Sequence, residues 1–103
     1  MSASYGFGIN YSGAVTLDTA FGTFPRSSNP TQTVPIVSMY IYCQTTGGTI
    51  VYQNASGEPQ VTGIQAGTRA PIFATQILTS ATINSVLYTT TATGLFWDAS
   101  PYG

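Results

Sequence analysis

Three carboxylates (Asp18, Glu58 and Asp98), two guanidiniums (Arg26 and Arg69) and one thiol (Cys43) are the strongly reactive side chains of this 103-residue chain, which has neither His nor Lys. A pair of carboxylates is the equipment for cleaving a glycosidic bond, one as acid and one as base or nucleophile. Here the three fall in separate turn-like segments. A hydroxyl or thiol nucleophile needs a positioned base, and with His and Lys absent none stands beside a Ser, Thr or Cys. The expectation is therefore no catalytic residue and no enzyme. Cys43 is alone, so no disulfide forms within the chain, and a thiol with scattered carboxylates makes no metal set. Neither a metal nor a cofactor is expected, and Cys43 reads as a small buried hydrophobe on a strand.

Two short patterns fail on context. YGFGIN, Tyr5 to Asn10, has the glycines of a phosphate loop but no strand before it and no helix after it, so it reads as an arm with aromatic anchors. Asn10-Tyr-Ser12 and Asn54-Ala-Ser56 match the glycosylation sequon, a match short enough to arise by chance. The aromatics Tyr40, Tyr42, Tyr52, Tyr88 and Trp97 raise a carbohydrate-binding alternative, in which they form a stacking platform. The favoured reading makes them cross-strand packing pairs.

Charge narrows the partners. Charged residues make up 5% of the chain, against ~25% in typical domains. The net charge is -1, so the chain lacks the basic footprint that phosphate backbones require, and nucleic acid is not an expected partner. No window approaches the ~18 apolar residues of a membrane span, and no membrane partner is expected. MSASYGFGINYSG has neither a basic nor an apolar leader region, so the expectation is synthesis in the cytosol with the first residues retained. Near-zero net charge also removes the repulsion that keeps copies apart, which suits a chain meant to associate.

The elements behind these residues are strands. In VPIVSMYIYC the apolar Val37, Met39, Ile41 and Cys43 alternate with Ser38, Tyr40 and Tyr42, the pattern of a half-buried strand. QTTGG, Gln44 to Gly48, is expected to turn the chain as a hairpin through φ > 0 glycines, with TIVYQ returning. NASGEP is a second turn, QVTGIQAG a short strand breaking at Gly63 or Gly67, and RAPIFATQILT, ATINSVLYTT and ATGLFW three further strands. No segment holds a helical period. The fold class expected is all-β, a single small β-sandwich or jelly-roll-like barrel with an extended N-terminal arm. The arm covers residues 1–33, rich in Gly, Ser, Thr and Asn with spaced aromatics, and the sandwich covers residues 34–103. Strand edges without Lys are open to pairing, which points to cover by partner subunits.

The stretch MYIYCQTTGGTIVYQNASGEPQVTGIQAGTRAPIFATQILTSATINSVLYTTTATGLFW, the C-terminal two thirds, resembles small tailed-phage structural proteins of the head decoration (cement) and head spike base type. Its landmarks are Gly47-Gly48 in a polar Gly/Thr turn, Ala66-Gly67 followed by Pro71, and Thr93-Gly94 before Leu95, Phe96 and Trp97. The first thirty residues lie outside the resemblance. Those chains often carry a basic residue in the strand after the Pro, where this one has PIFATQI.

The resemblance implies a non-enzymatic virion protein, made in the bacterial host cytoplasm and carried on the outer capsid surface, where it decorates the head and stabilises the major capsid lattice. Its partners would be the major capsid protein and its own copies, as a homotrimer. The alternative role is a spike or fibre base, or a head or tail adaptor holding a spike or fibre protein. Attachment is expected from the arm, with Phe7, Ile9 and Tyr11 laid into a neighbour's grooves and ordered on assembly. Phe21, Phe24 and Trp97 complete the expected partner interface.

Overall fold

A computed structural model describes residues 11–26 and 29–99, and among them every regular element is a strand. In chain order these are β1 (Tyr11–Ala14), β2 (Thr23–Arg26), β3 (Asn29–Pro35), β4 (Tyr40–Thr46), β5 (Gly48–Gln53), β6 (Pro59–Ile64), β7 (Thr68–Ala70), β8 (Gln76–Leu78), β9 (Ser80–Ile83), β10 (Val86–Thr89) and β11 (Thr93–Ala99). One sheet runs β1-β11-β4-β7 and a second runs β6-β5-β8, while β2–β3 and β9–β10 are two-stranded ribbons.

Alternation along the strands makes the core. Ile41, Cys43 and Leu95 from the first sheet meet Ile50, Ile64 and Ile77 from the second, with Ile72, Ala74 and Ala92 filling between them. Side chains of successive residues point to opposite faces, so one apolar row from each sheet is enough to close a small β-sandwich. Val51, next to Ile50 and likewise buried, lies on the other face of β5, against which β10 packs. The all-β sandwich is thus as the strand pattern predicts.

Several local expectations change. Gln44 to Gly48 does not form a hairpin: β4 pairs with β11 and β7, and β5 with β6 and β8, so the chain crosses from one sheet to the other at Gly47. Neither Gly47 nor Gly48 has a positive φ. Gly47 is needed because a Cβ there would stand 2.7 Å from the Ile64 carbonyl oxygen and 2.9 Å from the Ala66 nitrogen. The strand expected from Val37 begins only at Tyr40. Ser38, expected on the face that meets water or a neighbour, is fully buried, while Met39, expected on the apolar face, is exposed. The reason is a hydrogen-bond demand: the Ser38 hydroxyl donates to the Ile72 carbonyl (2.6 Å) and accepts from the Ala74 N–H (3.0 Å), serving an irregular segment that has no ladder of its own.

RAPIFATQILT likewise divides into β7 and β8 around residues 71–75, and ATINSVLYTT folds as the β9–β10 hairpin. Its two-residue turn, Asn84-Ser85, has φ of 52° and 67°, the doubly left-handed form that matches strand twist. Asn54 to Pro59 is a turn as expected, with the Asn54 carboxamide oxygen accepting from Ser56 and Glu58 N–H, so the second sequon's Asn serves the turn.

Pairing also begins well before residue 34. β1 runs antiparallel to the far side of β11, from Tyr11 opposite Ala99 to Ala14 opposite Phe96. Val15, Asp18 and Phe21 then donate backbone hydrogen bonds to Leu95, Ile77 and Thr75. The boundary between arm and sandwich drawn at residue 33 does not coincide with this onset of pairing. Residues 1–10, with Phe7 and Ile9, lie outside the described residues.

The Thr-rich stretch 89–93 has a structural use. Where β8 leaves the side of β5, residues 90–92 take its place: Thr91 and Ala92 N–H both donate to the Thr49 carbonyl. The Thr91 hydroxyl accepts from Thr49 N–H, and the Thr90 hydroxyl accepts from Val51 N–H while donating to the Leu78 carbonyl. Hydroxyls complete backbone pairing here without burying a charge, which is one reason the chain manages with so few.

Candidate functional site

The outward face of the β1-β11-β4-β7 sheet follows from the same alternation. With Ile41, Cys43, Leu95 and Trp97 turned to the core side, Tyr40 and Tyr42 on β4 and Phe96 and Asp98 on β11 face away. Register sets the rows. Ala14, Phe96, Tyr42 and Arg69 lie abreast in one, and Ser12, Asp98 and Tyr40 in the next. Phe96 and Tyr42 contact with ring centroids 6.5 Å apart and planes tilted by 38°. The Arg69 guanidinium lies 4.6 Å from the centre of the Tyr40 ring, a cation–π contact.

These residues enclose a groove of about 450 Å³, lined by Ser12, Gly13, Tyr42, Gly67, Arg69, Phe96, Trp97 and Asp98. Two glycines keep it open: a Cβ at Gly67 would meet nothing within 4 Å, and Gly13 leaves room for the Trp97 indole, whose Nε1 stands 3.3 Å from where a Cβ would be. Asp98 brings the groove its carboxylate. Its Oδ1 is buried and has no hydrogen-bond partner in the protein, an arrangement that stable folds avoid unless something else requires it.

The five aromatics raised as an alternative stacking platform do not form one. Tyr40 and Tyr42 share the outer face, but Tyr52 packs on the core cluster, and Trp97 presents its ring to Phe21 at 4.9 Å in a parallel stack. Tyr88 belongs to the separate β9–β10 hairpin. Phe96, whose place beside Tyr42 depends on the β11–β4 register, is the member that the sequence pattern missed. Of the expected interface residues, Phe21 and Trp97 stack on one another, Phe24 is half-buried in β2 opposite Val34, and Tyr11 opens β1.

The titratable groups are dispersed. Asp18 lies in the β1–β2 connection with φ +59°, accepting from Thr79 N–H at 2.9 Å and from the Thr79 hydroxyl at 2.5 Å. These two hydrogen bonds hold its carboxyl below the ordinary range, the hydroxyl contributing most. Glu58 ends the β5–β6 turn, and Asp98, expected in a turn, lies within strand β11. Cys43 is buried, its thiol directed at the Thr46 carbonyl (3.1 Å). Among the described residues no three of His, Cys, Asp and Glu are grouped to hold a metal ion, and no helix is long and apolar enough to cross a membrane.

Fold and groove together define a small all-β sandwich with an open aromatic face. No protein-family model, curated protein or solved structure matches the chain.

Proposed function

We propose that this protein is a structural subunit of a tailed-phage virion, a capsid decoration protein that sits on the outer head surface, binds the major capsid protein and packs against its own copies as a trimer. It catalyses no reaction in this role. The observation that carries the reading is the amount of large apolar side chain left at the surface of a chain with so little charge. Leu87 is 66% exposed, Phe73 59% and Val86 49%, and the outward row of the first sheet adds Tyr40, Tyr42 and Phe96. A soluble monomer ordinarily dilutes such residues among Lys and Glu. This chain has only five charged residues in all, and Val86 and Leu87 stand exposed on the two-stranded β9–β10 ribbon.

The resemblance of residues 39–97 to phage head proteins gives the association its setting. The experiment is quantitative mass spectrometry of purified particles, paired with sedimentation of the isolated protein. Decoration requires a copy number near that of the capsid subunit and a closed oligomer in solution. Tens of copies per particle would select the spike or fibre base instead, and absence from the particle would overturn the virion assignment.

A further inference from the structure

The ladder between β5 and β6 fixes which backbone groups of β6 are left over. The Asn54 N–H donates to the Glu58 carbonyl at 2.9 Å, and bonded and non-bonded pairs alternate along an antiparallel ladder. Tyr52–Gln60, Ile50–Thr62 and Gly48–Ile64 are therefore the bonded pairs, and Pro59, Val61 and Gly63 turn their backbone groups away from β5. The far side of β5 agrees: Thr49 and Val51 N–H donate at 2.9 Å to the Thr91 and Thr90 hydroxyls, away from β6. Among the described residues no strand lies beyond β6 in its sheet. A Cβ at Gly63 would meet nothing nearer than the Gly48 carbonyl oxygen at 3.7 Å. We propose that this edge pairs antiparallel with β6 of a second copy, continuing the β6-β5-β8 sheet across a two-fold axis.

N–H and C=O groups turned outward at alternate residues are what another extended strand satisfies. The other edges of the described residues are covered, blunted or short. Asp18 and Phe21 N–H take the Ile77 and Thr75 carbonyls beside β8, Pro25, Pro30 and Pro35 remove donors from the β2–β3 ribbon, and β1, β7, β9 and β10 have at most 4 residues. β6 has 6 residues, no charge and no bulge, and is exposed at Pro59, Gln60, Thr62 and Gly63. Apart from Pro59 at its start, it carries none of the devices that keep sheet edges apart. The occupant is the same strand of a second copy because this edge complements itself. Centred on Thr62, the pairing sets Val61 opposite Gly63 of the second copy and Gly63 opposite its Val61, and every backbone group that these residues turn outward is matched. Centred on Val61, it sets Pro59, which has no N–H, opposite Gly63 and strands the Gly63 carbonyl, so Pro59 selects the register. The contact is isologous, with one patch used by both copies. It lies apart from the exposed side chains that carry the proposed decoration role, so by itself it makes a dimer, and together with a trimer contact it joins trimers in pairs.

The test compares amide hydrogen exchange of the full-length protein, read by NMR, in dilute and concentrated samples, alongside sedimentation. The Val61 and Gly63 amides point away from β5, so their exchange should slow at least tenfold as the protein associates, while that of Thr62, bonded to Ile50 in either state, changes little. Gly63→Pro removes an N–H that the β5–β6 ladder does not use, at a position without positive φ. Thr62→Lys sets like charges opposite each other across the axis. Each should weaken association at least tenfold, with the urea midpoint of Thr62→Lys unchanged. Ser56→Lys, which adds the same charge in the exposed β5–β6 turn, should leave association as it is. Should Gly63→Pro fail to fold, Thr62→Lys decides alone. Fast exchange at Val61 and Gly63 at every concentration, or association untouched by Thr62→Lys, would overturn the proposal. Protection that arises only on particles would give the edge to a capsid strand and overturn it too. Copy number on particles, which tests the decoration role, is a separate readout, so either reading can fail without the other.

Discussion

Replacing Ser38 by Ala removes one oxygen and should cost about as much stability as truncating a buried Ile of this core to Ala. The Ser38 hydroxyl is 0% exposed, donates to the Ile72 carbonyl at 2.6 Å and accepts from the Ala74 N–H at 3.0 Å. Ile72 and Ala74 are themselves buried in the irregular segment between β7 and β8. Alanine leaves one donor and one acceptor without partners, each worth about 1–3 kcal/mol when stranded in the interior. The space vacated by a hydroxyl is smaller than a water molecule needs, so solvent does not rescue them. The total is about 2–6 kcal/mol, which is a large part of the ~5–15 kcal/mol that holds a domain of this size folded. Urea unfolding followed by Trp97 fluorescence measures it, with Ser80→Ala, an exposed β9 position, as the neutral control. A loss below about 1 kcal/mol at unchanged m-value would refute the claim that this hydroxyl replaces a missing sheet ladder.

Thr90→Val keeps the shape of the side chain but leaves Val51 N–H and the Leu78 carbonyl without the hydroxyl, so unfolding should be easier by about 1–3 kcal/mol in the same urea assay. Gly94 has φ +70° at the β11 bulge, and a Cβ there would lie 2.8 Å from the Thr45 backbone nitrogen. Gly94→Ala should therefore lower the melting temperature by roughly 10 °C or more, read by circular dichroism. The Asp18 carboxyl is held below its ordinary range by Thr79. Its contribution is complete above the unfolded carboxylate value near ~4 and is lost as pH falls through the lower folded value. Asp18→Asn should flatten the acid limb of stability against pH below about 4 and leave the difference between pH 6 and 8 unchanged. Leu87→Ser, at a side chain 66% exposed, should leave the urea midpoint within about 0.5 kcal/mol and shift sedimentation toward monomer; an unchanged oligomer would place the interface elsewhere.

Strand chemistry is a local property, and much of it can be read from the chain. Alternation around Ile41 and Cys43 identifies the inner face of β4, Asn54 to Pro59 is a turn because Asn54 bonds its own following backbone, and the absence of helical period leaves an all-β fold as the answer. Composition likewise gives a chain with few charges, 5% of its residues. Which strands pair is decided otherwise, because pairing partners are distant in sequence and a polar Gly/Thr run suits a hairpin turn or a crossing between sheets equally well. Gly47 is a crossing because Ile64 and Ala66 approach its backbone, and no neighbour in sequence announces that. Ser38 falls on an outward beat of the alternation, yet the Ile72 carbonyl and the Ala74 N–H, over thirty residues away, take their hydrogen bonds from its hydroxyl and draw it inside. The groove has the same origin. Asp98 looks like a turn residue until β11 pairs on both edges with β1 and β4, and Phe96 is one apolar residue among many until register sets it beside Tyr42. Burial and hydrogen bonding can be satisfied by any partner that arrives, so only the closed sandwich determines which residues meet.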